Sequence, residues 1–116
     1  MNTLPVYARA DGSATGVSAA TEITMTVPPR GVIKRVRVSK TSGDATTLAV
    51  EVLEAAGGTG AAVAISYSPA ASVDNEESIF YSVPESSPGV GNLYVKVTPD
   101  TGSNGVLARL DIEKVA

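Results

Sequence analysis

Cysteine and histidine are both missing from the 116 residues of this chain. Without cysteine there is no disulfide framework and no thiol nucleophile. Without either residue, the thiolate and imidazole ligands that usually hold zinc, iron or copper are gone. No triad that uses histidine as its base can be assembled, and no side chain has an ordinary pKa near neutrality. Tryptophan is absent too, and the aromatics reduce to Tyr7, Tyr67, Phe80, Tyr81 and Tyr94. Sugar-binding grooves and single-strand nucleic-acid platforms work by stacking on aromatic faces, so this scarcity counts against both. No window reaches the length of an apolar transmembrane helix. The opening MNTLPVYARADG has neither a basic leader nor an apolar run, so no signal peptide is expected. A formal charge of −3, from nine basic and twelve acidic residues, counts against a dedicated nucleic-acid binder. With no cysteine and no leader, the composition fits a protein made in a reducing cytoplasm.

What is abundant is Ala, Val, Ser, Thr and Gly. Small and β-branched side chains suit thin, tightly packed sheets. The length suits a single domain that buries its core without staples. Residues 31–56, GVIKRVRVSKTSGDATTLAVEVLEAA, dominate the pattern. Val32, Val36 and Val38 share one parity, with Arg35, Arg37 and Ser39 on the other. Leu48, Val50 and Val52 then alternate with Thr47, Ala49 and Glu51. Two alternating runs around Gly43-Asp44 predict a β-hairpin with one apolar and one charged face. That pairing would set Glu51 against the arginines. Lys34 falls on the apolar parity, and the sequence names no carboxylate for it.

Elsewhere, residues 17–27 are expected as a strand in which Ile23, Met25 and Val27 alternate with Glu22, Thr24 and Thr26, and Pro28-Pro29 ends it. Val63, Ile65 and Tyr67 share a face, and residues 79–83 form a short strand stopped by Pro84. A second hairpin is predicted from Leu93, Val95 and Val97 followed by Val106, Ala108, Leu110 and Ile112. Residues 11–16, 70–78 and 85–91 read as loops. About eight strands with Gly/Pro/Asp turns predict an all-β, single-domain β-sandwich of antiparallel strands, of the jelly-roll or Greek-key type. Residues 1–16 are expected as an extended N-terminal arm or edge strand, and residues 17–116 as the sandwich.

No catalytic pattern emerges, and the chain is expected not to be an enzyme. Serines lack a histidine to activate them, and no G-x-S-x-G is present. The GGTG at 57–60 lacks the lysine of a phosphate-binding loop. Asp74, Asn75, Glu76 and Glu77 supply oxygen ligands but match no calcium-loop spacing, so a solvated loop is the expectation and no metal or cofactor is assigned. The basic group Arg30, Lys34, Arg35, Arg37 and Lys40 reads as a solvated face that protects a sheet, or as a patch for an acidic protein partner. No aromatics interleave with it, which disfavours direct nucleic-acid binding.

The segments GVIKRVRVSKTSGDATTLAVEVLEA and GNLYVKVTPDTGSNGVLARLDIEKVA resemble the strand pairs of small virion proteins of tailed bacteriophages, above all capsid decoration (cement) proteins. The resemblance implies a structural protein made in the host cytoplasm and placed on the capsid surface. Its partner would be the major capsid protein, and it would form a homo-oligomer, with a trimer favoured. No membrane and no nucleic acid would be contacted directly. The partner-interface candidates are Arg30, Arg35, Arg37 and Lys40 on the basic run and Leu4, Val6 and Tyr7 on the arm. The alternative function is a non-catalytic carbohydrate- or receptor-binding module of a phage fibre or tail.

Overall fold

The computed structural model describes residues 6–55, 62–68, 72–76 and 78–115, with 62–68 and 72–75 described as backbone. The strands are β1 (Val6–Val17), β2 (Thr21–Val27), β3 (Arg30–Ser42), β4 (Leu48–Leu53), β5 (Ala62–Ser68), β6 (Ser72–Asn75), β7 (Ile79–Ser82), β8 (Gly91–Pro99) and β9 (Asn104–Lys114). One sheet runs β1-β9-β3, with β6 and β7 sharing the far edge of β3; the other runs β2-β8-β4-β5. Every pairing is antiparallel. β6 and β7 lie end to end along β3, from Ser39↔Ser72 to Arg30↔Ser82, and act as one interrupted strand. Counted so, the strand order is that of a jelly roll, one of the two types expected from about eight strands.

The predicted hairpins are not hairpins. β3 and β4 lie in different sheets, and so do β8 and β9. Each pair is an arch whose apolar faces meet across the core instead of lying side by side. The alternation is the same in both arrangements, since it specifies which face is buried and not which strand is hydrogen-bonded. Glu51 therefore stands opposite Lys96 and Ile65, far from the arginine run. The neighbours of β3 are β9 on one edge and β6 and β7 on the other.

The core forms between the sheets. Met25, Ile33, Val38, Leu48, Val52, Leu93, Val95 and Leu110 are all buried. Lys34 escapes this core through a β-bulge. The register with β9 slips between Ile33 and Arg35, so Lys34 is the extra residue and the parity changes there. Ile33, not Val32, is buried, and Val32 moves to the outer face. Lys34 Nζ lies 3.5 Å from Glu113 Oε2 and donates to Ser78 Oγ at 3.2 Å. The break between β6 and β7 falls opposite this same bulge.

Two segments expected as loops are strand. Residues 11–16 continue β1, which pairs with β9 from Val6↔Lys114 to Ala14↔Val106 before slipping at Gly16 (φ +65°). Its inward positions are small, and Gly12 is the tightest: a Cβ there would sit 2.6 Å from Ile23 Cγ2 and 2.9 Å from Met25 Sδ. Loop-like composition here is what lets β2 pack closely over β1. Residues 72–75, inside the expected 70–78 loop, form β6. The strand expected from Val17 begins instead at Thr21.

The arches are tied together at one end of the sandwich. Asn104 is 1% exposed. Its Oδ1 accepts from Ala45 N–H at 2.9 Å, and its Nδ2 donates to Val17 O and Thr101 O, both at 3.0 Å. Nearby, Asp100 accepts from Thr46 N–H (2.9 Å), Thr46 Oγ1 (2.6 Å) and Thr47 N–H (3.2 Å). These donors hold its carboxyl down at about 2, led by the Thr46 hydroxyl. At the opposite end, buried Tyr81 donates its hydroxyl to Pro28 O at 2.6 Å, and burial raises its pKa to about 12.

Candidate interaction surface

The outer face of the β1-β9-β3 sheet gathers most of the residues that the sequence singled out. On β9, Leu107, Arg109, Asp111 and Glu113 point outward because Val106, Ala108, Leu110 and Ile112 are buried. Pairing on both edges of β9 then sets out rows across the sheet. Tyr7, Glu113, Val32 and Phe80 make one row; Arg9, Asp111 and Arg35 make the next. Asp11, Arg109, Arg37 and Asp74 make a third, and Ser13, Leu107 and Ser39 a fourth.

Charges of both signs are interleaved over this face. Arg109 Nε donates to Asp11 Oδ1 at 2.9 Å, and Arg9 Nε lies 3.3 Å from Asp11 Oδ2. The Arg109 hydrogen bond, helped by the charge of Arg9, lowers the Asp11 pKa below its ordinary value. Arg35 lies 3.8 Å from Glu76. Such exposed pairs add little stability singly, but their alternation defines the potential that a partner meets. The basic run is thus set into a mixed-charge checkerboard.

Of the interface candidates, Arg35 and Arg37 lie half-buried in the middle of this face. Arg30, Val6 and Tyr7 come together at one end of the sheet, where Gly31 and Val6 share Lys114 as register partner. Val6 and Tyr7 are exposed there, as is Phe80. Lys40 is at the other end and braces the β3–β4 arch, donating to Gly43 O at 2.8 Å and Ala45 O at 3.1 Å. Leu4 lies outside the described residues, as does Glu77. The rest of the expected acidic loop is divided between β6 (Asp74, Asn75) and the contact of Glu76 with Arg35.

The residues that sequence reasoning did not single out are Arg9, Asp11, Leu107, Arg109 and Asp111. The outward parity of Leu107, Arg109 and Asp111 on β9 was readable, but Arg9 and Asp11 lie on β1, and the position of all five beside Arg35 and Arg37 depends on pairing between distant strands. A shallow groove of about 440 Å³ runs among them, lined by Asp11, Gly12, Arg37, Ser39, Leu107, Ala108 and Arg109. Its charged groups are the Asp11 carboxylate, held by the Arg109 and Arg9 guanidinium groups, and the Arg37 guanidinium, and Ser39 adds a hydroxyl to the lining. Among the described residues no three His, Cys, Asp or Glu cluster as a metal site.

No protein-family model matches the chain, and no curated protein matches it. Among solved structures it is similar to a chain of the cyanophage Pam1 capsid asymmetric unit, with a TM-score of 0.50 and 14% sequence identity. The likeness covers 96% of this chain and 86% of that one, and at this identity it is a likeness of fold.

Proposed function

We propose that this chain is a structural protein of a phage virion: a decoration, or cement, protein on the capsid surface that binds major capsid protein subunits. The observation that carries the reading is the fold likeness to a chain of a phage capsid, which extends over 96% of this one. The outer sheet face is consistent with it. A rigid, mixed-charge surface gives a partner register and specificity without chemistry, so the role requires no catalytic residue or cofactor. Such a protein works by repetition. Weak, symmetric contacts gain strength when the copies are themselves joined, and a homotrimer made in the host cytoplasm is the form we favour.

The test is binding of the purified chain to expanded phage shells that lack it, followed by co-sedimentation and by the temperature at which the shells break. Saturable binding and a raised breaking temperature are expected. Failure to bind shells, together with clear hits on a glycan array, overturns the proposal in favour of a fibre or receptor module.

A further inference from the structure

We infer that β1 is a self-complementary edge, and that two copies of this chain join through it about a two-fold axis at Ala10. Among the described residues β1 is the terminal strand of its sheet, paired on one side with β9. It is 12 residues long and contains neither proline nor lysine. Exposed strand edges are normally shortened, covered, bulged or guarded by such residues, because they recruit other strands. Here the only irregularity lies after Ala14, at the Gly16 bulge. The regular stretch from Val6 to Ala14 has Ala10 at its midpoint.

Charge selects the register. In an antiparallel pair of β1 strands, residues directly opposite must lie on the same face. With the axis at Ala10, Arg9 of each copy faces the second copy's Asp11. Shifting the axis to Arg9 sets arginine against arginine, and shifting it to Asp11 sets aspartate against aspartate, which is unfavourable. The Ala10 register also continues the checkerboard described above. The row Arg35, Asp111, Arg9 extends into the second copy's Asp11 and Arg109, so the signs alternate across the junction.

Shape agrees with charge. On the inner face Ala8 meets the second copy's Gly12, and Ala10 meets its own counterpart, so no bulky side chains collide. On the outer face Tyr7 meets the second copy's Ser13, whose register neighbour on β9 is Leu107. Tyr7 is 65% exposed and Leu107 53% exposed in the single chain, and this pairing covers both. The contact is isologous and independent of the capsid reading. A threefold ring uses a different, heterologous surface, so the two can coexist.

The experiment uses the isolated chain, which has no cysteine of its own. In the proposed register the Ala10 Cα atoms are about 4.5–5.5 Å apart, within the range a disulfide spans. Ala10→Cys is expected to oxidise to a covalent dimer. Ser13→Cys, offset from its counterpart by roughly 20 Å along the strands, is expected to stay reduced. In the Ala10→Cys background, Arg9→Glu alone and Asp11→Lys alone each place like charges together twice, so each loses the crosslink. Mixing the two restores it, because the heterodimer has both pairs of opposite sign, while thermal unfolding confirms that each variant is folded. Absence of the Ala10→Cys crosslink, equal crosslinking of Ser13→Cys, or failure of the mixture to recover the dimer overturns the inference.

Discussion

Ala45 and Asn104 are 59 positions apart in sequence, and the Ala45 N–H donates to the Asn104 side-chain oxygen at 2.9 Å in a buried setting. One lies in the arch between β3 and β4, the other at the start of β9. Because Asn104 also holds Val17 O and Thr101 O, a single amide ties three chain crossings to one another. Asn104→Ala leaves buried backbone groups without partners, at about 1–3 kcal/mol each for those that water cannot reach. A loss of about 2–4 kcal/mol is expected, read as a lower urea midpoint with little change in slope. An unchanged midpoint would show that the arches hold without it.

Gly43 supports the same junction. Its φ of +99° is a conformation that L side chains rarely adopt, and a Cβ there would run into Asn104 Oδ1 and Ser103 O. Gly43→Ala is expected to destabilise by about 2 kcal/mol or more through combined strain and collision. Gly89→Ala is the control for strain alone, since its φ is +76° with open space around it. Equal losses for the two variants would remove the argument from collision.

Stability should fall with acid in a specific window. The Asp100 carboxyl titrates at about 2 in the folded chain, against an ordinary value of 3.8. A depressed folded pKa means that the unfolded state binds the proton first. The stabilisation is therefore complete above the unfolded value and is lost as pH falls from about 4 to about 2. Asp11, also lowered, acts in the same direction. Melting temperatures measured across this window should fall less steeply for Asp100→Asn than for the parent chain. Parallel curves would mean that Asp100 does not contribute.

Val50 is 1% exposed and faces the opposite sheet. Val50→Asp buries a charge with no partner and is expected to unfold the chain, a loss of about 4 kcal/mol or more. Val50→Ala should cost about 1–3 kcal/mol and remain folded. Circular dichroism of both variants decides the point; a folded Asp variant would contradict the assigned core face.

On the outer face, charge reversals should separate stability from binding. Arg35 lies opposite Asp111 and near Glu76, so Arg35→Glu should cost about 1 kcal/mol. Arg37 lies opposite Arg109, a like charge, so Arg37→Glu should cost less. Both variants should stay folded, and the double variant should bind expanded shells at least about tenfold more weakly if this face meets the capsid, a change of about 1.4 kcal/mol. Unaltered binding would move the capsid contact to another surface.

The burial pattern was largely legible in the sequence. Ile23, Met25 and Val27, the Leu48–Val50–Val52 set, and Leu93, Val95 and Val97 all face the core as their alternation predicts. Pairing was not legible, because an arch and a hairpin share one pattern of alternation. The slip at Lys34 was visible only as a cation on the wrong parity, and its partner Glu113 lies on a strand paired from far along the chain. The same holds for the outer face. Arg35 and Arg37 could be read as a stripe, but Asp111, Asp11 and Arg109 enter only when β9 is placed between β3 and β1.

Sheet-crossing arches also shape how the chain reaches its fold. Neither β3–β4 nor β8–β9 can zip up locally from its turn, and β1 waits for β9, the last of the described strands. The described contacts are accordingly dominated by residues distant in sequence. Loop-closure entropy must then be met before most pairings can form, which places such a chain among slow folders. On a ribosome, β1 and β3 would stay without their shared neighbour until β9 had emerged. The protein therefore has no half that can fold first, and its open strand edges are most vulnerable to wrong partners in that interval.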